Sequence, residues 1–65
     1  MKYKIEIWQN QHITETYESD KISDILNWYK VKWRWLYELG DCSFTVYKDD
    51  EELSFEEESI FGFHR

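Results

Sequence analysis

The chain contains no proline, two glycines and one cysteine among its 65 residues. A single thiol, Cys42, excludes an internal disulfide. Two histidines, His12 and His64, lie far from it in sequence and complete no structural zinc spacing. No segment approaches the roughly 20 apolar residues of a membrane span. Met1-Lys2-Tyr3-Lys4 opens no apolar stretch of signal-peptide length. The expectation is a cytoplasmic protein in a reducing compartment, without a cofactor. A single domain over residues 1–65 is all the length allows. So short a chain buries only about 60% of its unfolded surface and needs help from disulfides, metals or association. Thirteen Phe, Tyr and Trp residues supply the other resource, since large rings bury much area per residue ordered.

Punctuation is sparse, so periodicity has to carry the organisation. Tyr3, Ile5 and Ile7 alternate with Lys2, Lys4, Glu6 and Trp8, the pattern of a half-buried strand. A turn at Gln9-Asn10-Gln11 leads to a second strand, with Ile13, Glu15 and Tyr17 on one face. Ser19 or Asp20 is placed to cap a helix from about Lys21 to Leu39, with Gly40 as its stop. Cys42, Phe44 and Val46 mark a third strand. A turn over Lys48–Glu51 then leads to a short fourth strand at Leu53 and Phe55. The segment Ile60–His64 is apolar enough to return as an edge strand or a docked tail. The expected fold is α+β: a small antiparallel sheet of about four strands, order ββαββ, with one helix across one face.

That helix carries more apolar surface than one sheet covers. Ile22, Ile25, Leu26, Tyr29, Trp33 and Leu36 share the stripe expected to face the core. Trp28, Val31, Trp35 and Leu39 form a second stripe, which points to cover by the tail or a sheet edge, to a homodimer seam, or to a foreign partner.

Charge is distributed unevenly. Asp49, Asp50, Glu51, Glu52, Glu56, Glu57 and Glu58 place seven of the fourteen acids in ten residues. The whole chain carries −6, whereas the rest of it, with seven acids against eight Lys and Arg, carries +1. If Lys48 to Glu57 form a hairpin, its six acids lie about 2.8 Å apart along it, against about 1.7 Å in duplex DNA. Such a block either docks a basic partner or serves as a solvated turn that protects a sheet edge. Calcium is disfavoured, because Asp49-Asp50-Glu51-Glu52 lacks the glycine and the spacing of a calcium loop.

Other chemistries find little support. Tyr29 to Trp35 interleaves bases with rings, but helical geometry sends the two kinds of side chain to different faces, which argues against direct nucleic-acid binding. Anionic lipid would repel the acidic block. Cys42 follows a helix C-terminus, where the dipole disfavours a thiolate, and reads as a small core residue. No enzyme constellation is evident.

In its short length, its acids clustered over Asp49–Glu58 and its many rings, the chain resembles the small acidic bacteriophage proteins that disable host factors, DNA-mimic inhibitors among them. The resemblance is compositional and carries over no motif. It implies a stoichiometric inhibitor in host takeover. Residues Asp49 to Glu58 would occupy the nucleic-acid site of a basic host protein, and any mimicry would be one-sided because the opening strands carry lysines. The alternative is an adaptor or structural dimer acting through the tryptophan stripe. On the first reading, reversing Glu56, Glu57 and Glu58 to lysine weakens binding and leaves the fold intact.

Overall fold

The described residues form two hairpins and two helices, and side-chain alternation decides which face each strand buries. The computed structural model describes residues 2–36 and 42–63. Strand β1 (Tyr3–Gln9) turns into β2 (His12–Ser19), helix α1 (Ile22–Leu36) follows, and β3 (Cys42–Lys48) turns into a two-residue β4 (Glu51–Glu52). A second helix, α2 (Phe55–Phe61), comes last. The sheet order is β2-β1-β3-β4, with antiparallel neighbours throughout. The α+β class and the ββαββ order hold, with one helix added.

The core lies between the sheet and the helices. Tyr3, Ile5 and Ile7 are buried along β1, and Val46 and Phe44 stand opposite Ile5 and Ile7 on β3. Helix α1 lies against β1 and β2 and brings in Ile25 and Tyr29, with Ile22, Leu26 and Trp33 packed around them. Its entrance is tied by Ser19, whose Oγ accepts the Lys21 N–H at 3.2 Å and donates to Asp24 Oδ2 at 2.7 Å. The expected continuation of the helix to Leu39 and its expected stop at Gly40 lie outside the described residues.

The fourth strand differs from expectation. Pairing ends at Glu52, and Phe55 begins a helix instead of continuing a strand. The cause is local: Ser54 Oγ accepts the Glu57 N–H at 3.2 Å, and Glu57 Oε1 accepts the Ser54 N–H at 3.3 Å. This reciprocal capping box satisfies two backbone donors at once and sets the helix start. Helix α2 ends at Gly62, whose φ of 106° lies in the left-handed region that glycine enters without strain. The N–H groups of Gly62 and Phe63 both return to the Glu58 carbonyl, at 3.1 and 2.9 Å. The turn drives Phe63 inward until it is 2% exposed, 5.1 Å from the Tyr29 ring centroid and 6.1 Å from that of Phe44. The tail is thus a docked helix and anchor, and it sits on the core stripe of α1.

One register shift matters. Ile7 pairs with Glu15 but Trp8 pairs with Ile13, so Thr14 is an extra residue in β2. The bulge moves Ile13 off the face of Glu15 and Tyr17 and onto that of Trp8, where it is 46% exposed.

Both hairpins use two-residue turns with positive φ at each position: Asn10 and Gln11 (52° and 68°), then Asp49 and Asp50 (51° and 68°). These are turns that match strand twist and favour glycine second. A non-glycine residue there costs about 1–2 kcal/mol, offset in part by the roughly 0.5–1 kcal/mol of chain entropy that glycine loses. Gln11→Gly is therefore expected to stabilise the domain by about 0.5–1 kcal/mol, read as a melting temperature raised by a few degrees. An unchanged or lower value would contradict the turn assignment.

Candidate functional site

The acidic run begins in the β3–β4 turn, passes along β4 and ends in the first turn of α2. Asp49, Asp50, Glu51, Glu52, Glu56 and Glu57 are exposed, whereas Glu58 is turned inward and only 4% exposed. Asp49, Glu51, Glu52 and Glu57 border one shallow depression, together with Lys48 and Leu53. The tight turn and the capped helix start place four carboxylates around a common hollow although eight positions separate the first from the last. Among the described residues, no three His, Cys, Asp or Glu side chains meet in a metal-holding arrangement.

Not every acid is equally free to meet a partner. Asp49 Oδ1 accepts the Lys2 N–H at 2.8 Å, and the Asp49 N–H donates to the Lys2 carbonyl at 2.8 Å, extending the β1–β3 ladder by one rung. Glu57 holds the cap of α2. Asp50, Glu51, Glu52 and Glu56 remain as exposed carboxylates outside those roles. Charge reversal at Glu57 and Glu58 would disturb α2 itself, so the triple reversal over Glu56–Glu58 cannot leave the fold intact. Asp50, Glu51 and Glu52 are the residues that separate binding from folding.

The lysines of the opening strand are engaged elsewhere. Lys2 Nζ lies 3.0 Å from Glu18, and Lys4 Nζ lies 3.7 Å from Glu6 and 4.8 Å above the Tyr47 ring. The bond to Glu18 raises the Lys2 pKa, with Asp50 and Asp20 adding smaller effects in the same direction. A hydrogen bond to Glu6, aided by burial, raises that of Tyr47 above its ordinary 10.0. Both shifts act with one sign. The unfolded chain releases each of these protons first, so their stabilisation is complete below about pH 10 and declines as pH climbs through the folded values. Chemical denaturation midpoints should therefore fall above pH 10, and Tyr47→Phe should shallow that fall. A variant with the same alkaline slope would refute the Tyr47–Glu6 contribution.

The second helix stripe is divided. Trp28 stacks on Tyr17 of β2, with centroids 5.3 Å apart and planes at 5°, so a sheet edge covers it. Beside it Lys32 reaches Glu15 at 3.0 Å, which explains a carboxylate on the core side of β2. Val31 and Trp35 face solvent, at 64% and 71% exposure, and Leu39 lies outside the described residues.

The residue reading missed a shallow depression at one end of the uncovered sheet face, lined by Trp8, Asn10, Gln11 and Ser43. Trp8 Nε1 is buried there with no hydrogen-bond partner among the described residues. The alternation that buried Ile5 and Ile7 already assigned Trp8 to the opposite face, and that was the available signal. Cys42 is half-buried at the start of β3, and His12 is exposed at the start of β2. No described helix is long and apolar enough to cross a membrane. Comparison with protein-family models, curated proteins and solved structures finds no match to this chain.

Proposed function

We propose that the protein is a non-enzymatic binding module whose acidic edge docks the cationic, nucleic-acid-holding surface of another protein and excludes the nucleic acid by competition. The observation that carries this reading is the convergence of Asp49, Glu51, Glu52 and Glu57 on one hollow, while Lys2 and Lys4 pair with Glu18 and Glu6. With four carboxylates against the one lysine, Lys48, on its rim, such a surface steers a cationic partner and supplies many weak contacts. Each exposed ion pair contributes about 0.2–1 kcal/mol, so affinity comes from number and from nearby apolar contact. Exposed Phe55, at 68%, lies beside the acids and can supply the latter. The DNA-mimic role implied by the acidic phage proteins is one form of this activity.

The test is capture of basic proteins from a bacterial lysate, challenged with duplex DNA. Elution by DNA of a protein that also binds DNA supports the reading. Retention of that protein at any DNA concentration counts against it.

The exposure of Val31 and Trp35 favours a second reading, an adaptor that works through α1. Binding through those two residues would survive moderate salt and vanish in Trp35→Ala.

A further inference from the structure

The two edges of the sheet are managed differently. At one end β4 pairs over two residues only, and both are glutamates. Short length and like charge deter strand addition there. At the other end β2 runs for eight residues without proline, and among the described residues no strand pairs with its outer side. Its two glutamates are neutralised from within the chain, Glu15 by Lys32 and Glu18 by Lys2, each at 3.0 Å.

The hairpin fixes which backbone groups that edge presents. Its two-residue turn makes Gln9 and His12 a hydrogen-bonded pair, and the pattern alternates from there along β1. Ile7, Ile5 and Tyr3 therefore bond Glu15, Tyr17 and Ser19, while Thr16 and Glu18 turn their N–H and C=O groups outward. Beyond the bulge at Thr14 the regular edge is Glu15 to Ser19, centred on Tyr17.

Helix α1 carries its uncovered apolar pair over the same edge. Around its axis Tyr29 meets Phe44 of β3, and Trp28, about 100° away, meets Tyr17 of β2. Continuing in that sense, Trp35 lies about 20° beyond Trp28 and Val31 about 60° beyond it. The exposed pair thus looks out past β2, on the side away from β3.

We propose that a second copy of this chain adds to this edge, β2 against β2 about a twofold axis at Tyr17, joining two four-stranded sheets into one of eight strands. Thr16 of each protomer then exchanges both backbone hydrogen bonds with Glu18 of the other. Glu15 stands opposite Ser19, so no two glutamates face one another across the seam. The helices fit the same axis. Helix α1 lies against β1 and β2 alike, and strands are spaced about 4.8 Å apart. A helix midway between them stands about 10 Å from its twofold mate, at the upper end of the roughly 8–10 Å at which helices pack. Trp35 and Val31 fill that seam. The acids of β4 lie at the far edge of the sheet, so the association stands apart from the acidic-edge reading.

Sedimentation equilibrium and amide hydrogen exchange of the full chain over a range of concentrations test the proposal. The wild type should dimerise, and Trp35→Ala should dimerise about 30-fold more weakly, as truncation of an aromatic anchor does. The Thr16 and Glu18 amides should exchange slowly where the dimer forms and about tenfold or more faster on dilution, whereas the Tyr17 amide stays protected by β1 throughout. Asp50→Asn/Glu51→Lys/Glu52→Lys should dimerise as the wild type does. A wild type that stays monomeric at millimolar concentration would overturn the proposal. So would a dimer whose Thr16 and Glu18 amides exchange as fast as in the dilute protein, or a Trp35→Ala protein of unchanged affinity.

Discussion

Phe63→Ala will cost the domain about 3–5 kcal/mol. The ring is 2% exposed and touches Tyr29 edge-on at 5.1 Å, while Tyr29 packs on Phe44 at 4.7 Å and Phe44 on Trp33 at 5.1 Å. Removing it opens a void against both helices and the sheet, and α2 loses its anchor. A 65-residue chain has roughly 3–10 kcal/mol of stability in total, so the loss ranges from a third to the whole. Phe63→Leu keeps most of the volume and should cost less than about 1.5 kcal/mol. Equilibrium urea unfolding of the three proteins measures this. A Phe63→Ala protein with an unchanged midpoint would mean that the tail is not docked on the core.

The second large effect concerns binding. Replacing Asp50 by Asn and both Glu51 and Glu52 by Lys raises the local charge by five and touches neither the Asp49 rung nor the α2 cap. Asparagine suits the left-handed backbone at residue 50, where φ is 68°. Three lost ion pairs, at about 0.2–1 kcal/mol each, and the repulsion that replaces two of them should weaken a cationic partner roughly 10- to 100-fold. The melting temperature should move little, because all three side chains are exposed. A large drop in thermal stability would assign these acids to the fold instead.

The first three strands and α1 were legible because each element repeats its signal. The alternation of Tyr3, Ile5 and Ile7, and of Phe44 and Val46, reports burial on one face, and the stripe through Ile25 and Tyr29 reports the helix above it. Helix α2 was missed for a local reason. Leu53 and Phe55 alternate like a strand, and Phe55 and Ile60 do not share a helical stripe. The signal that decides the matter, Ser54 three residues before Glu57 with Gly62 downstream, was present as a capping box and a left-handed stop. The bulge at Thr14 was not legible, since nothing in β2 marks one residue as extra until it is paired with β1. Among the acids, sequence gave the cluster but not its division into roles. The rung at Asp49, the cap at Glu57 and the burial of Glu58 depend on the neighbours that folding brings. The fate of the second stripe likewise turned on Tyr17, eleven residues before Trp28 and on another element.

The account stands on an acidic edge that competes with nucleic acid for a basic protein. Its most direct test is the affinity for a captured basic DNA-binding protein, measured for the wild type and for Asp50→Asn/Glu51→Lys/Glu52→Lys between low and moderate salt. Screening shortens to about 10 Å at 0.1 M salt, so wild-type affinity should fall steeply across that range, and the variant should start weaker and show a shallower slope. Equal affinities with equal salt slopes, or a complex that forms alongside bound duplex DNA, would contradict it.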